Sequence, residues 1–311
     1  MRTLKQKFGL AIAASTMLLG APACAQSQST PAPVASTQVA AADKEIGGPA
    51  MWLVKDEDTT IYLFGTVHAL PEGLDWYKGA IADALASSDT IVTEIKNGPD
   101  IATKMQKLVE TKGLLPAGTS LRSLMDADDK AVYEAALQKL GVPAEAFDQF
   151  EPWLAGLNMS ILPLLQQGYS AESGVETVLL ADATGKPQVA LETLEFQIGI
   201  FDGLPQESQI EFLIEAAASV DLIKPQLDAM VAEWVEGDAD ALAVLMNEGL
   251  DDQELANQLL YNRNSNWAEW IDSRMDTPGT VFIAVGAGHL AGAKSVQDML
   301  EARGVQTYRV Q

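Results

Sequence analysis

Only two histidines occur in the 311-residue chain, His68 and His289. Both follow an apolar run by the same step. "IYLFGTVHALP" (61–71) and "VFIAVGAGHLAG" (281–292) each read apolar run, Gly, two residues, His. An imidazole titrates near neutral pH, moves protons and ligates divalent metals. Glycine after a buried strand permits a sharp exit and a close backbone approach. Three residues on, a side chain can turn back to the strand's C-terminal edge, where open α/β sheets gather their ligands. If the two strands run parallel and lie near each other, both imidazoles point into one crevice. Either histidine alone reads as an ordinary core or surface residue; the shared frame argues for a joint site.

Two imidazoles alone make a poor metal site, because a divalent ion usually takes a carboxylate as well. Glu94 in "VTEIK" and Glu192 in "QVALE" each close a short apolar segment. A carboxylate there is costly to desolvate unless it is hydrogen-bonded, paired with Arg or Lys, or bound to a cation. Other constellations are missing: there is no G-x-S-x-G elbow, no H-E-x-x-H helix and no G-x-x-x-x-G-K-[ST] loop. "GAGHLAG" (286–292) is a weak nucleotide signal.

The positioning elements follow from pattern. "MWLVKDEDTTIYLFGTV" predicts two strands around a polar turn, the second central and covered on both faces. Leu74, Tyr77, Ile81 and Leu85 recur at helical spacing. "TIVTEI" (90–95) and "TVFIAVG" (280–286) read as strands, "GKPQVALET" (185–193) as another buried one, and "VQTYRV" as a last short one. Residues 289–303 read as a helix ended by Gly304. Between the strands the pattern is helical, broken at Gly and Pro. The expected fold class is mixed α/β (α+β), a single domain over 51–311. Its central sheet is built from both ends of the chain and flanked by helices, with a large helical lobe over about 100–180 and 195–275.

Upstream, Arg2, Lys5 and Lys7 precede the apolar "FGLAIAASTMLLG", and "ACA" (23–25) fits a signal-peptidase site. A leader over 1–25 and an Ala/Pro/Ser/Thr-rich tether over 26–49 are expected, hence a periplasmic or secreted protein. The rival is a lipoprotein lipidated at Cys24, although "APAC" lacks the usual large aliphatic residue. Cys24 is the sole cysteine, so cleavage after Ala25 excludes disulfides and thiol chemistry. The net charge of −23 argues against nucleic acid and anionic membranes as partners and would attract cations, though such a surplus is commonly a solvated surface. No later segment is long and apolar enough to span a bilayer, so no integral membrane segment is expected after the leader.

Taken together, "LFGTVHALP", "VTEI", "GVETVLLADATGKPQVALETLEFQ", "RNSNWAEWI" and "VFIAVGAGHLAGAKSVQDMLEARGVQTYRV" resemble the TraB/GumN family. The match runs in order from about Met51 to Gln311 and is nearest the GumN-like bacterial branch. The membrane-anchored Tiki proteases belong to the same broader group. The resemblance implies a fold distantly related to erythromycin-esterase-like and ChaN-like proteins, a mixed central sheet with helices around it and its site at the sheet edge. It also implies a hydrolytic site in which His68, His289 and Glu94 bind manganese or cobalt, or activate water. Glu192, Arg263 and Asn264 match recurrent "LET" and "RN" positions.

The expectation is an exported metal-dependent hydrolase, a peptidase first, acting on a peptide or protein. His68, His289 and one or both of Glu94 and Glu192 hold the ion or its water. The other glutamate is the general base. Arg263 stabilises an oxyanion or forms a structural ion pair, and Asn264 orients an imidazole. A metal-free variant uses the same residues as an imidazole–carboxylate pair. The alternative is a non-catalytic protein that captures a metal ion, haem or a peptide signal in the same crevice.

Overall fold

A computed structural model describes residues 48–247 and 253–311. The expected leader, and all but the last two residues of the tether, lie outside the described residues. The chain opens with β1 (Met51–Lys55) and β2 (Thr59–Thr66). Their polar turn closes on Asp56, whose Oδ1 accepts the Thr59 N–H at 2.8 Å, a side-chain mimic of a backbone turn.

The main sheet has six strands in the order β6-β4-β7-β2-β1-β8, with β4 (Thr90–Ile95), β6 (Gln188–Glu192), β7 (Gly279–Gly286) and β8 (Tyr308–Arg309). β6, β4, β7 and β2 run parallel, and β1 is antiparallel to both β2 and β8. The sheet is therefore mixed and built from both ends of the chain, as expected. A separate small ribbon pairs β3 (Leu70–Pro71) with β5 (Tyr169–Ser170), which the sequence reading did not foresee.

The central strands bury both faces, and the period of two sorts their side chains. Ile61, Leu63, Val281, Ile283 and Val285 pack on one side, against Trp267, Ile271 and Val296. Phe64, Phe282 and Ala284 pack on the other, against Trp76, Ile81, Leu227 and Trp234. A third apolar cluster fills the helical lobe around Trp153, Tyr133 and Phe201. Helices of the lobe are Ile101–Lys112, Ala127–Lys139, Pro152–Gln166, Leu194–Asp202 and Gln206–Ala218, whereas Ile223–Glu236 and Asn262–Arg274 pack on the sheet.

Three local expectations need correction. β6 is not a buried strand: it lies at the sheet edge, and Val189 is 37 % exposed. Apolar content alone does not report how many neighbours a strand has. The helix holding Ile81 and Leu85 spans only Ala80–Ser87, so Leu74 and Tyr77 precede it. Gly79, at φ 53°, breaks the helical path just before. Residues 289–303 are not one helix either. A 3₁₀ turn, Ala287–Leu290, is followed by a short helix, Val296–Glu301, which starts where Ser295 accepts the Asp298 N–H. Gly292 at φ 69° and Lys294 at φ 58° interrupt the path between them.

Candidate functional site

The two Gly-x-x-His segments are brought together by the sheet itself. β2 and β7 are adjacent and parallel, with Gly65 opposite Val285 and Thr66 opposite Gly286. Both chains thus leave the sheet at the same edge. The glycines allow a close approach. A Cβ on Gly65 would come within 3.0 Å of the Ala287 Cα, so the 3₁₀ turn would have to shift outward to cross over β2. A Cβ on Gly286 would stand 3.1 Å from Glu94 Oε1, 3.6 Å from His289 Cδ2 and 3.9 Å from His68 Nε2. Those three groups therefore ring the space over the Gly286 Cα.

Arg263 organises the interior. It rides on the helix Asn262–Arg274, directly after a π-helical turn at Asn257–Tyr261, a distortion frequent at functional sites. Its Nη2 donates to Glu94 Oε2 at 2.6 Å and to Glu192 Oε2 at 2.9 Å. Its Nε donates to Glu192 Oε1 at 2.9 Å. Its Nη1 donates to the Leu259 carbonyl at 2.9 Å and to His289 Nε2 at 3.0 Å. All five guanidinium hydrogens are thereby used inside the cluster. Gln197 Nε2 bridges Glu94 Oε2 and Glu192 Oε2, Trp267 Nε1 donates to Glu192 Oε1, and the Gly286 N–H donates to Glu94 Oε1 at 2.7 Å. Buried charge is tolerable only when its hydrogen bonds are made this completely.

His289 is locked at both nitrogens. Its Nδ1–H donates to Asn264 Oδ1 at 2.5 Å, and Asn264 Nδ2 donates to the Lys294 carbonyl at 2.8 Å. That chain sets the amide's orientation and hence the imidazole tautomer. The ring also packs on Trp267, with centroids 4.2 Å apart. Burial and the neighbouring Arg263 charge depress the His289 pKa to about 3, so the ring stays neutral and accepts from Arg263.

His68 is held at one nitrogen only. Its Nδ1 is 2.6 Å from Glu176 Oε1, which Thr66 Oγ1 also contacts. Among the described residues, its Nε2 is buried without a hydrogen-bond partner. Burial pulls its pKa down, but the charge and hydrogen bond of Glu176, with Glu94 beyond, outweigh that and leave it above the usual histidine value. Glu94 goes the other way. Burial would raise its pKa, but Arg263, the two imidazoles and the Gly286 N–H hold it down to about 2. Glu176 reaches the site because its helix, Val175–Asp182, starts against the His68 backbone. The Val175 N–H donates to the Val67 carbonyl at 3.0 Å. A Cβ on Gly174 would lie 2.0 Å from the His68 carbonyl oxygen, so only glycine fits there.

All six residues singled out from sequence, His68, Glu94, Glu192, Arg263, Asn264 and His289, meet in this one cluster. Glu176, Gln197 and Trp267 were not singled out. Glu176 lies in "GVETVLLAD", and its only local signal is an acidic residue in the first turn after a glycine, which is also ordinary helix chemistry.

A family model, the TraB/PrgY/gumN family, matches residues 50–309. An uncharacterized protein of Treponema pallidum (strain Nichols) is 22 % identical over 273 residues, covering 81 % of this chain and 80 % of that protein. No solved structure matches the chain.

Proposed function

The chain belongs to the TraB/PrgY/gumN family, and on that premise we propose that it is an exported hydrolase, a peptidase first, whose general base is His68. The carrying observation is the His68 imidazole, with Nδ1 held by Glu176 at 2.6 Å and Nε2 buried and, among the described residues, unpartnered, beside Gly286. A carboxylate on one ring nitrogen orients the ring, sets the tautomer and stabilises the imidazolium that forms when the other nitrogen takes a proton. In the proposed reaction, water over Gly286 gives its proton to His68 Nε2 while its oxygen attacks a substrate carbonyl. The carbon–nitrogen bond then breaks, and the proton passes to the leaving amine. Arg263 keeps His289 and Glu94 in place, and its guanidinium lines the same crevice as His68, where its charge would offset negative charge developing on the carbonyl oxygen.

A second, metal-assisted reading is supported by the same free donor. His68 Nε2 and a Glu94 oxygen both face the space over Gly286, and imidazole with carboxylate suits manganese or cobalt. His289 would join them by exchanging the Arg263 N–H for the ion. A bound ion would supply a more acidic water and polarise the carbonyl. Export rests on the leader-like residues 1–25, and N-terminal sequencing of the exported protein tests it.

The deciding experiment is a peptide-library digestion read by mass spectrometry. Wild type, His68→Ala and His289→Ala are compared after chelator treatment and after manganese or cobalt is returned. Cleavage by chelated wild type that His68→Ala lacks supports the metal-free reading, and cleavage restored only by the ion supports the second. If wild type cuts nothing in either state, hydrolysis is the wrong activity.

A further inference from the structure

Beside the histidines the crevice changes chemical character. Its inner edge is the polar cluster, with Thr66, His68, Arg263 and the Gly286–His289 turn. Its opposite wall is made by Leu227, Met230, Leu242, Met246, Leu259 and Leu260, none of which carries a charge. These six come from two different bodies. Leu227, Met230 and Leu242 belong to the apolar cluster under the sheet, Leu259 and Leu260 belong to the helical lobe, and Met246 packs against both. The cavity is thus the seam where two cores meet, and it opens onto the imidazoles. It has about 40 Å³ of room for water centres. One water needs roughly 10–15 Å³ by that measure, so the room is that of about three or four heavy atoms, the size of a valine, leucine or methionine side chain. The wall offers a charged or amide side chain no compensating partner, so such a group would lose its hydration without return.

We infer that this cavity is the subsite for one aliphatic side chain of the substrate, adjoining the bond that is cleaved. The inference rests on the hydrolase reading above and adds a substrate class to it, peptides with Val, Leu, Ile or Met at one position flanking the cut. Two of the wall residues are methionines, whose unbranched side chains re-pack around differing aliphatic shapes. The subsite is therefore expected to select for apolar size rather than for one amino acid.

Two measurements test it. In the library digestion, aliphatic residues should be enriched at one flanking position and Asp, Glu, Lys and Arg depleted. On matched peptides, leucine should exceed alanine in kcat/KM on the order of 30-fold, from the apolar surface of three carbons. Met246→Phe, which fills the cavity, should move the optimum to alanine, and Met230→Glu should abolish the leucine preference. Separately, 4-methylpentanamide, a neutral amide with a leucine-like tail, is titrated into protein labelled with ¹⁵N-histidine. The chain's only two imidazoles should both shift, while the charged succinamate leaves them in place. Cleavage without aliphatic preference, with silent imidazoles, overturns the subsite and leaves the hydrolase. Shifted imidazoles without any cleavage overturn hydrolysis, and with it the place of the subsite beside a scissile bond, and leave an aliphatic binding pocket. If both arms are blank, both fall; the titration uses wild type, so it reads the subsite whether or not either variant folds.

Discussion

Arg263→Met is the most direct test of what holds the site together. The side chain is 3 % exposed and makes five hydrogen bonds, three of them to the Glu94 and Glu192 carboxylates. Methionine roughly fills the volume but brings no charge and no donor. Two buried carboxylates would then share only Gln197, Trp267 and the Gly286 N–H. Removing one partner of a buried pair costs about 3–5 kcal/mol, against the roughly 5–15 kcal/mol that a domain has in total. With a urea dependence of about 1–3 kcal/mol per molar, the unfolding midpoint should fall by about 1–5 M at pH 8. The loss should also depend on pH. Without the guanidinium, Glu94 can no longer stay near 2, and burial pushes its pKa above the ordinary 4.5. The folded variant then binds a proton that the unfolded chain does not, so its deficit shrinks as pH falls from 8 to 5. Glu94→Gln on the Arg263→Met background should recover part of the loss at pH 8, because it removes the stranded charge. The assay is urea unfolding followed by circular dichroism at the two pH values. A deficit below about 1 kcal/mol, or one equal at pH 5 and 8, would refute an electrostatically held cluster.

Three further outcomes are expected. Glu176→Gln removes the charge that raises the His68 pKa, so the rise of kcat/KM with pH should move to lower pH and the rate should drop; His68→Ala should cost on the order of 10²–10⁴-fold, and an unmoved profile in Glu176→Gln contradicts the dyad. His289 is held neutral down to about pH 3 while an unfolded imidazole protonates near 6.5, so its contribution to stability is complete above 6.5 and is lost as pH falls. Its share of the urea-unfolding slope approaches about 1.4 kcal/mol per pH unit below 6.5, and His289→Gln should remove that share. Gly174→Ala puts a methyl 2.0 Å from the His68 carbonyl oxygen and should destabilise by at least about 1–3 kcal/mol and displace the His68 imidazole signal, whereas Gly199→Ala, with nothing within 4 Å, should do neither.

The site shows where legibility stops. His68 and His289 could be found because each sits a fixed three residues past a strand-ending glycine, and strand, glycine and offset are all local properties. Glu94 and Glu192 could be found because a carboxylate closing an apolar run conflicts with its surroundings. The conflict announced a partner but not its identity. The structure supplies it in Arg263, which serves both glutamates and a histidine, where the sequence allowed either a helix-surface ion pair or an oxyanion donor. Glu176 conflicts with nothing locally. It matters only because Gly174 lets its helix start against the His68 backbone.

Local pattern was therefore sufficient for the strands of the main sheet, the helical lobe and four of the residues that meet, His68, His289, Glu94 and Glu192, whereas Arg263, Asn264 and the mixed character of the sheet came from the family resemblance. Backbone periodicity, desolvation cost and glycine's missing side chain all act over a few residues and leave their mark on a short stretch. Only the tertiary structure decided that β2 and β7 are parallel neighbours, that β6 lies at the edge, that one guanidinium serves two carboxylates, and which imidazole nitrogen keeps its lone pair free. Those outcomes depend on distances between segments up to about 200 residues apart, and no stretch of chain encodes a distance to a partner that folding has yet to bring near.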